Sequence, residues 1–149
     1  KVRPMTVDVE IRFEPRDFKK LLRGMLSFVE KNHNKAIDAA AMKAIELIET
    51  RTTAGYDVNG ARFKRYSKAY ADYRVSKGRN PFPVDLQFTG RMLASMNVKK
   101  VGGHNRLIYF RGGENNKKAA NNNSYREFFG LSNRERSVVA DTYFERLTR

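Results

Sequence analysis

The chain contains no cysteine and no tryptophan, and only two histidines and four prolines among its 149 residues. Without cysteine, disulfides and thiolate metal sites are excluded, and the composition is compatible with a reducing cytosol. His33 and His104 each lie beside Asn or Gly in a predicted turn. Neither has a ligand companion three or four residues away, so no metal and no cofactor are expected. No run approaches the roughly 18 apolar residues that a membrane span needs, so no membrane partner is expected. A signal-peptide pattern is lacking too, and a chain opening on Lys1 is expected to have lost at least an initiator Met.

Acids are also scarce. Lys and Arg number 30 against 16 Asp and Glu, a formal charge of +14. Such an excess suits an anionic neighbour: nucleic acid, an acidic protein face or a membrane surface. It is equally the composition of a soluble protein whose basic residues face water. A hydrophobic fraction of 40% over this length allows one folded domain with a real core.

Catalytic patterns are missing as well. The acid pairs Asp8/Glu10 and Glu46/Glu49 have no third carboxylate or base tied to them. Gly102-Gly103 and Gly112-Gly113 open no strand–loop–helix phosphate site. No catalytic residue is nominated, and a non-enzymatic role is expected.

What is there begins with period-two alternation over Thr6–Phe13, which predicts a strand with one buried face. Pro15 suits the first turn of a helix, and Phe18, Leu21, Leu22, Met25 and Val29 form its predicted inward stripe, to about Lys31. Lys31–Lys35 (KNHNK) reads as a break. A second helix follows, with Ile37, Ala41, Ala44, Ile45 and Ile48 inward, running to Arg51. Its Ala-rich face permits close approach of a neighbour. Gly55 ends it.

Asn59-Gly60 signals a turn, and Ser67 caps a short helix carrying Tyr70, Tyr73 and Arg74. Arg79–Leu86 reads as an extended, Pro-stiffened connector. Thr89 starts a short helix to Met96, with Met92, Leu93 and Met96 inward. A hairpin turns at Gly102–Asn105. Residues 112–124, with five Asn and almost no bulky apolar group, read as a flexible loop or a segment ordered by a partner. Ser132 and Glu135 form a capping box, followed by an apolar stripe of Val139, Tyr143 and Leu147. Leu131, just before the cap, faces Arg136, so a hydrophobic staple is absent or displaced. Phe128, Phe129 and Leu131 are expected to insert into the core.

The densest chemical signal is Arg62, Phe63, Lys64, Arg65, Tyr66, Lys68, Tyr70, Tyr73, Arg74, Lys77 and Arg79. Interleaved Arg and Tyr can hold phosphates and stack on bases. The same pattern arises when Phe63, Tyr66, Tyr70 and Tyr73 pack inward and the cations solvate the outside.

Three segments, taken in order, carry a resemblance. IETRTTAGYDVNGARFKRYSKAYADYR contributes Asp57, Gly60, Phe63, Tyr66, Ser67, Tyr70 and Ala71. PVDLQFTGRMLASM contributes Asp85, Leu86, Thr89, Gly90, Met92, Leu93 and Ser95. REFFGLSNRE contributes Arg126, Phe128, Gly130, Leu131 and Ser132. Together, from about Ile48 to Glu135, they resemble the tailed-bacteriophage virion morphogenesis and tail-completion proteins.

The resemblance implies a single α+β domain, a small mostly antiparallel sheet flanked by several helices. It also implies a structural ring, hexameric by family habit, that completes or terminates the tail tube and joins it to the head. Implied partners are further copies of itself, the tail tube protein and head–tail connector or neck proteins, with transient contact to phage DNA. The implied location is the virion, after assembly in the host cytoplasm. On this reading Arg62, Lys64, Arg65, Lys68, Arg74, Lys77, Arg79, Asn115, Asn116, Lys117 and Lys118 are the candidate subunit-, partner- or DNA-facing residues. Asp57, Gly60, Thr89, Gly90, Gly130, Ser132 and Glu135 are structural. The alternative function is sequence-nonspecific nucleic-acid binding.

Overall fold

The computed structural model describes residues 15–149, with side chains from 19 onward; the strand expected at Thr6–Phe13 and the pair Asp8/Glu10 lie outside the described residues. The elements are α1 (Pro15–Thr53), α2 (Lys68–Ser76), α3 (Arg91–Ala94), β1 (Met96–Val101), β2 (Asn105–Phe110), α4 (Gly113–Tyr125) and α5 (Asn133–Leu147). The expected class holds: an α+β fold, with one two-stranded antiparallel sheet among the described residues and helices around it.

The break expected at Lys31–Lys35 does not occur. α1 runs unbroken for 39 residues, about 58 Å at the standard rise. The polar residues stay helical because their side chains find partners elsewhere in the fold, and tertiary contacts outweigh weak propensity. His33 Nδ1 is hydrogen-bonded to the Tyr143 hydroxyl at 2.7 Å. Asn34 donates back to the Glu30 carbonyl and accepts from Arg106 of β2. Arg106 also pairs with Asp38. Beyond this point Ala36, Ala40, Ala41 and Ala44 are buried, and α5 packs back along this half of α1.

The second correction concerns residues 112–124, which form helix α4 rather than a loop. Lys117-Lys118-Ala119-Ala120 are good helix formers, and Ala119 is buried in the core. The asparagines are consumed locally: Asn115 and Asn122 each donate to the carbonyl four residues earlier. Asn123 accepts from the amides of Phe128 and Phe129, turning the chain out of the helix.

α3 is shorter than expected. Gly90, at φ +75, precedes it, while Thr89 only accepts weakly from the Arg91 amide, and Met96 already belongs to β1. The hairpin pairs Met96 with Phe110 and Val101 with Asn105. The core gathers Ile45, Ile48, Phe63, Val84, Met92, Leu93, Met96, Phe110, Ala119 and Phe128, with Phe129 and Leu131 packed against it.

One cation ties these parts together. Arg51, at the end of α1, donates to Glu135, to the Phe128 carbonyl at 2.6 Å and to the Gly130 carbonyl at 3.0 Å. The capping box forms as expected: Ser132 accepts from the Glu135 amide, and Glu135 accepts from the Ser132 amide at 2.8 Å. Glu135 therefore serves both the cap and Arg51. Since removing one member strands a half-buried carboxylate and two carbonyls, Arg51→Leu is expected to cost about 3 kcal/mol in urea unfolding. Lys43→Leu, which breaks only the exposed pair with Glu46, should cost under about 1 kcal/mol. Equal losses would contradict this account of Arg51.

Candidate interaction surfaces

The segment Tyr66–Arg74 and the helix α4, forty residues apart, face each other across one groove of about 570 Å³. Ser67 accepts from the Tyr70 amide and so starts α2, which aims Tyr70 and Tyr73 to one side. Tyr73 stacks on Phe88 at 5.6 Å, and Tyr70 on Tyr73 at 6.2 Å. Tyr66 meets Tyr70 edge-on at 5.0 Å. Asn115, Lys118 and Asn122 of α4, together with Arg126 and Arg91, complete the lining. Two segments nominated separately from the sequence thus line a single site.

Behind the aromatic wall stands Arg74. Expected to face a partner or DNA, it is instead 1% exposed. Its guanidinium donates to Asp85 at 3.1 Å and to the Asn80 carbonyl, and it lies 4.8 Å from the Tyr66 ring centre. The Tyr66 hydroxyl accepts from the Leu86 amide at 3.2 Å. Leu86 itself sits at φ 54, a strained backbone for a bulky residue, held by this frame and by its contact with the core. Arg74 is the post of the groove and does not meet a partner.

The remaining candidates divide. Arg62 lies over Tyr56 and Phe82, and Arg65 over Phe82, away from the groove. The main-chain carbonyls of Lys64 and Arg65 accept from Arg126. Lys68 pairs with Asp72 on the surface, Lys77 sits over Tyr73, and Arg79, Asn116 and Lys117 are exposed. Asp57 accepts from the amides of Asn59 and Ala61, and Gly60 takes φ +82 in that turn.

A second surface was missed. Leu21, Leu22, Met25 and Val29, expected to face the core, are exposed, as are Leu26 and Phe28. Every residue from 19 to 31 is exposed, so this half of α1 stands clear of the other described residues. The signal lay in the width of its apolar face. Leu21, Met25, Phe28 and Leu22, Leu26, Val29 make two adjacent rows at spacings of four and three, wider than a stripe covered by one neighbour needs.

Scanned against family models, curated proteins and solved structures, the chain matches none of them.

The histidines are not isolated surface groups. His33 lies inside α1, and its ring stands edge-on to His104 at 4.6 Å and to Tyr143 at 5.6 Å. Among the described residues no three His, Cys, Asp or Glu converge on a metal position, and no helix is long and apolar enough to cross a membrane.

One group in the groove wall has a displaced titration. Burial, foremost, pushes the Tyr66 hydroxyl above its ordinary 10.0; neighbouring Asp85 adds to this and Arg74 opposes it. The folded chain thus holds this proton more tightly than the unfolded one. Its contribution to stability is intact below the ordinary tyrosine range and is lost as pH climbs through the raised value. Tyr66→Phe should cost about 1–2 kcal/mol near neutral pH, by stranding the Leu86 amide. It should also flatten the decline of the melting temperature above the ordinary tyrosine range. A parallel decline in both proteins would contradict the assignment.

Proposed function

We propose that the chain is a structural, non-enzymatic protein of a tailed-phage neck or tail, forming a ring that completes the tail tube and joins it to the head. The observation that carries the assembly half of this reading is the bare half of α1. Six bulky apolar side chains line one face there, each at least 41% exposed. A soluble monomer rarely leaves so continuous a patch uncovered. Gly24 sits beside them with nothing within 4 Å of where a Cβ would stand. Glycine in an exposed helix interior costs about 1 kcal/mol against alanine, and what it offers in return is close approach of another backbone.

The family half of the reading is supported by the resembling segments sharing one substructure. The Asp57 turn, the Tyr66–Arg74–Asp85 frame and the Arg126–Ser132 strap meet around the same core. If the arm of one subunit seats on a different surface of the next, the contact is heterologous and closes into a ring when the rotation permits. Tail tube and connector proteins would then meet the faces of that ring, and the charge of +14 suits acidic neighbours and passing phage DNA. As the chain's principal role, nucleic-acid binding by the cation row Arg62–Arg79 acting together is the weaker reading, because its central Arg74 is buried and committed to Asp85 and Arg62 and Arg65 lie over Tyr56 and Phe82.

Sedimentation velocity at two concentrations, with negative-stain imaging, tests the proposal. The parent chain should form ring-shaped particles whose fraction rises with concentration. The triple variant Leu21→Ser, Met25→Ser, Phe28→Ser should stay monomeric with an unchanged melting temperature. A parent that remains monomeric even with tail tube protein, or a triple variant that assembles as well as the parent, would overturn it.

A further inference from the structure

We infer that the groove between α2 and α4 binds single-stranded nucleic acid, with bases against Tyr70 and Tyr73 and phosphates toward Arg91, Lys118 and Arg126. The site goes beyond the assembly role and holds whether or not the chain forms rings.

The charge around the groove is one-sided. Among the described residues no Asp or Glu lines it. Asp72 is engaged by Lys68 and Asp85 by Arg74, while Lys118 touches Glu114 only at 3.9 Å with both side chains in solvent, a contact that a phosphate can displace. Of the groove's cations, Arg91 and Arg126 have no carboxylate partner among the described residues; Arg126 is oriented by the Lys64 and Arg65 carbonyls, which leave its charge unneutralised. The wall they flank is aromatic. Tyr70 and Tyr73 remain 38% and 47% exposed although stacked on each other and on Phe88, so the ladder keeps open surface for a further planar group.

Cations along a backbone path beside an aromatic platform are what sequence-tolerant binding of unpaired strands requires. A duplex keeps its bases inside and could use only the cations. Asn115 and Asn122 each donate one N–H to the carbonyl four residues earlier, and their Oδ1 atoms are acceptors for exocyclic amines.

The test uses fluorescence anisotropy with labelled oligo(dT) and a duplex of equal length. It is run on both the parent chain and the monomeric Leu21/Met25/Phe28→Ser variant, so that failure to assemble and failure to bind are read separately. Both proteins should bind the single strand more tightly than the duplex. Tyr73→Ala should weaken oligo(dT) binding about tenfold or more while hardly changing duplex binding, and Tyr73→Phe should restore it. Lys118→Ala should reduce the slope of log affinity against log salt by about 0.7. Equal affinity for strand and duplex, unaffected by Tyr73→Ala, would overturn the proposal and leave only net charge. Displacement of oligo(dT) by polyglutamate at equal charge concentration would overturn it in favour of an acidic polypeptide.

Discussion

The fold depends on where Arg51 puts its guanidinium. From the last turn of α1 it reaches Glu135 and the carbonyls of Phe128 and Gly130. That gathers the end of the longest helix, the strap after α4 and the first turn of α5 into one point. A cation held by a carboxylate and two carbonyls inside a partly dry site fixes geometry as well as contributing energy. Phe128 is carried to full burial against Phe110. Arg126, just before it, is drawn across to the carbonyls of Lys64 and Arg65 and to the face of Tyr66. The groove owes its rear corner to this chain of contacts.

From the same anchor α1 divides into two halves of different character. Near Arg51 small side chains are buried, and α5 lies alongside. Past His33, where Tyr143 of α5 still makes contact, the helix continues without cover from the other described residues. An isolated helical stretch of that length is marginal in water. Its persistence in the single chain depends on continuity with the packed half, and a partner on its apolar rows would stabilise it further.

Much of this was legible in the residues because local chemistry decides it. Ser67 and the Ser132–Glu135 box mark helix starts by side-chain geometry alone, and Gly60 and Gly102 mark turns that need positive φ. The hairpin followed from the turn residues Gly102–Asn105 between two strand-like runs. What was not legible depends on partners far away in sequence. The polar run at His33–Asn34 looks like a break until Tyr143 and Arg106 arrive to satisfy it. The Asn-rich run before Tyr125 looks like a loop because asparagine is a poor helix former, yet here its side chains cap and bridge the helix's own carbonyls. Arg74 reads as a surface cation until Asp85, eleven residues on, is folded against it. Of the site, the two segments were found and their meeting across the groove was not. The apolar rows of α1 were seen but assigned to the core, since periodicity reports that a face wants covering and not what covers it.

The central claim is that one half of α1 belongs to the subunit and the other half belongs to an assembly. Hydrogen exchange read amide by amide along α1, in dilute and concentrated samples, tests this most directly. The account predicts strong protection from about Ala36 to Thr53 at both concentrations. Between 19 and 30 it predicts fast exchange in the dilute sample, slowing markedly as concentration rises. Uniform protection along the whole helix in the dilute sample, or an exchange rate over 19–30 that ignores concentration, would contradict it.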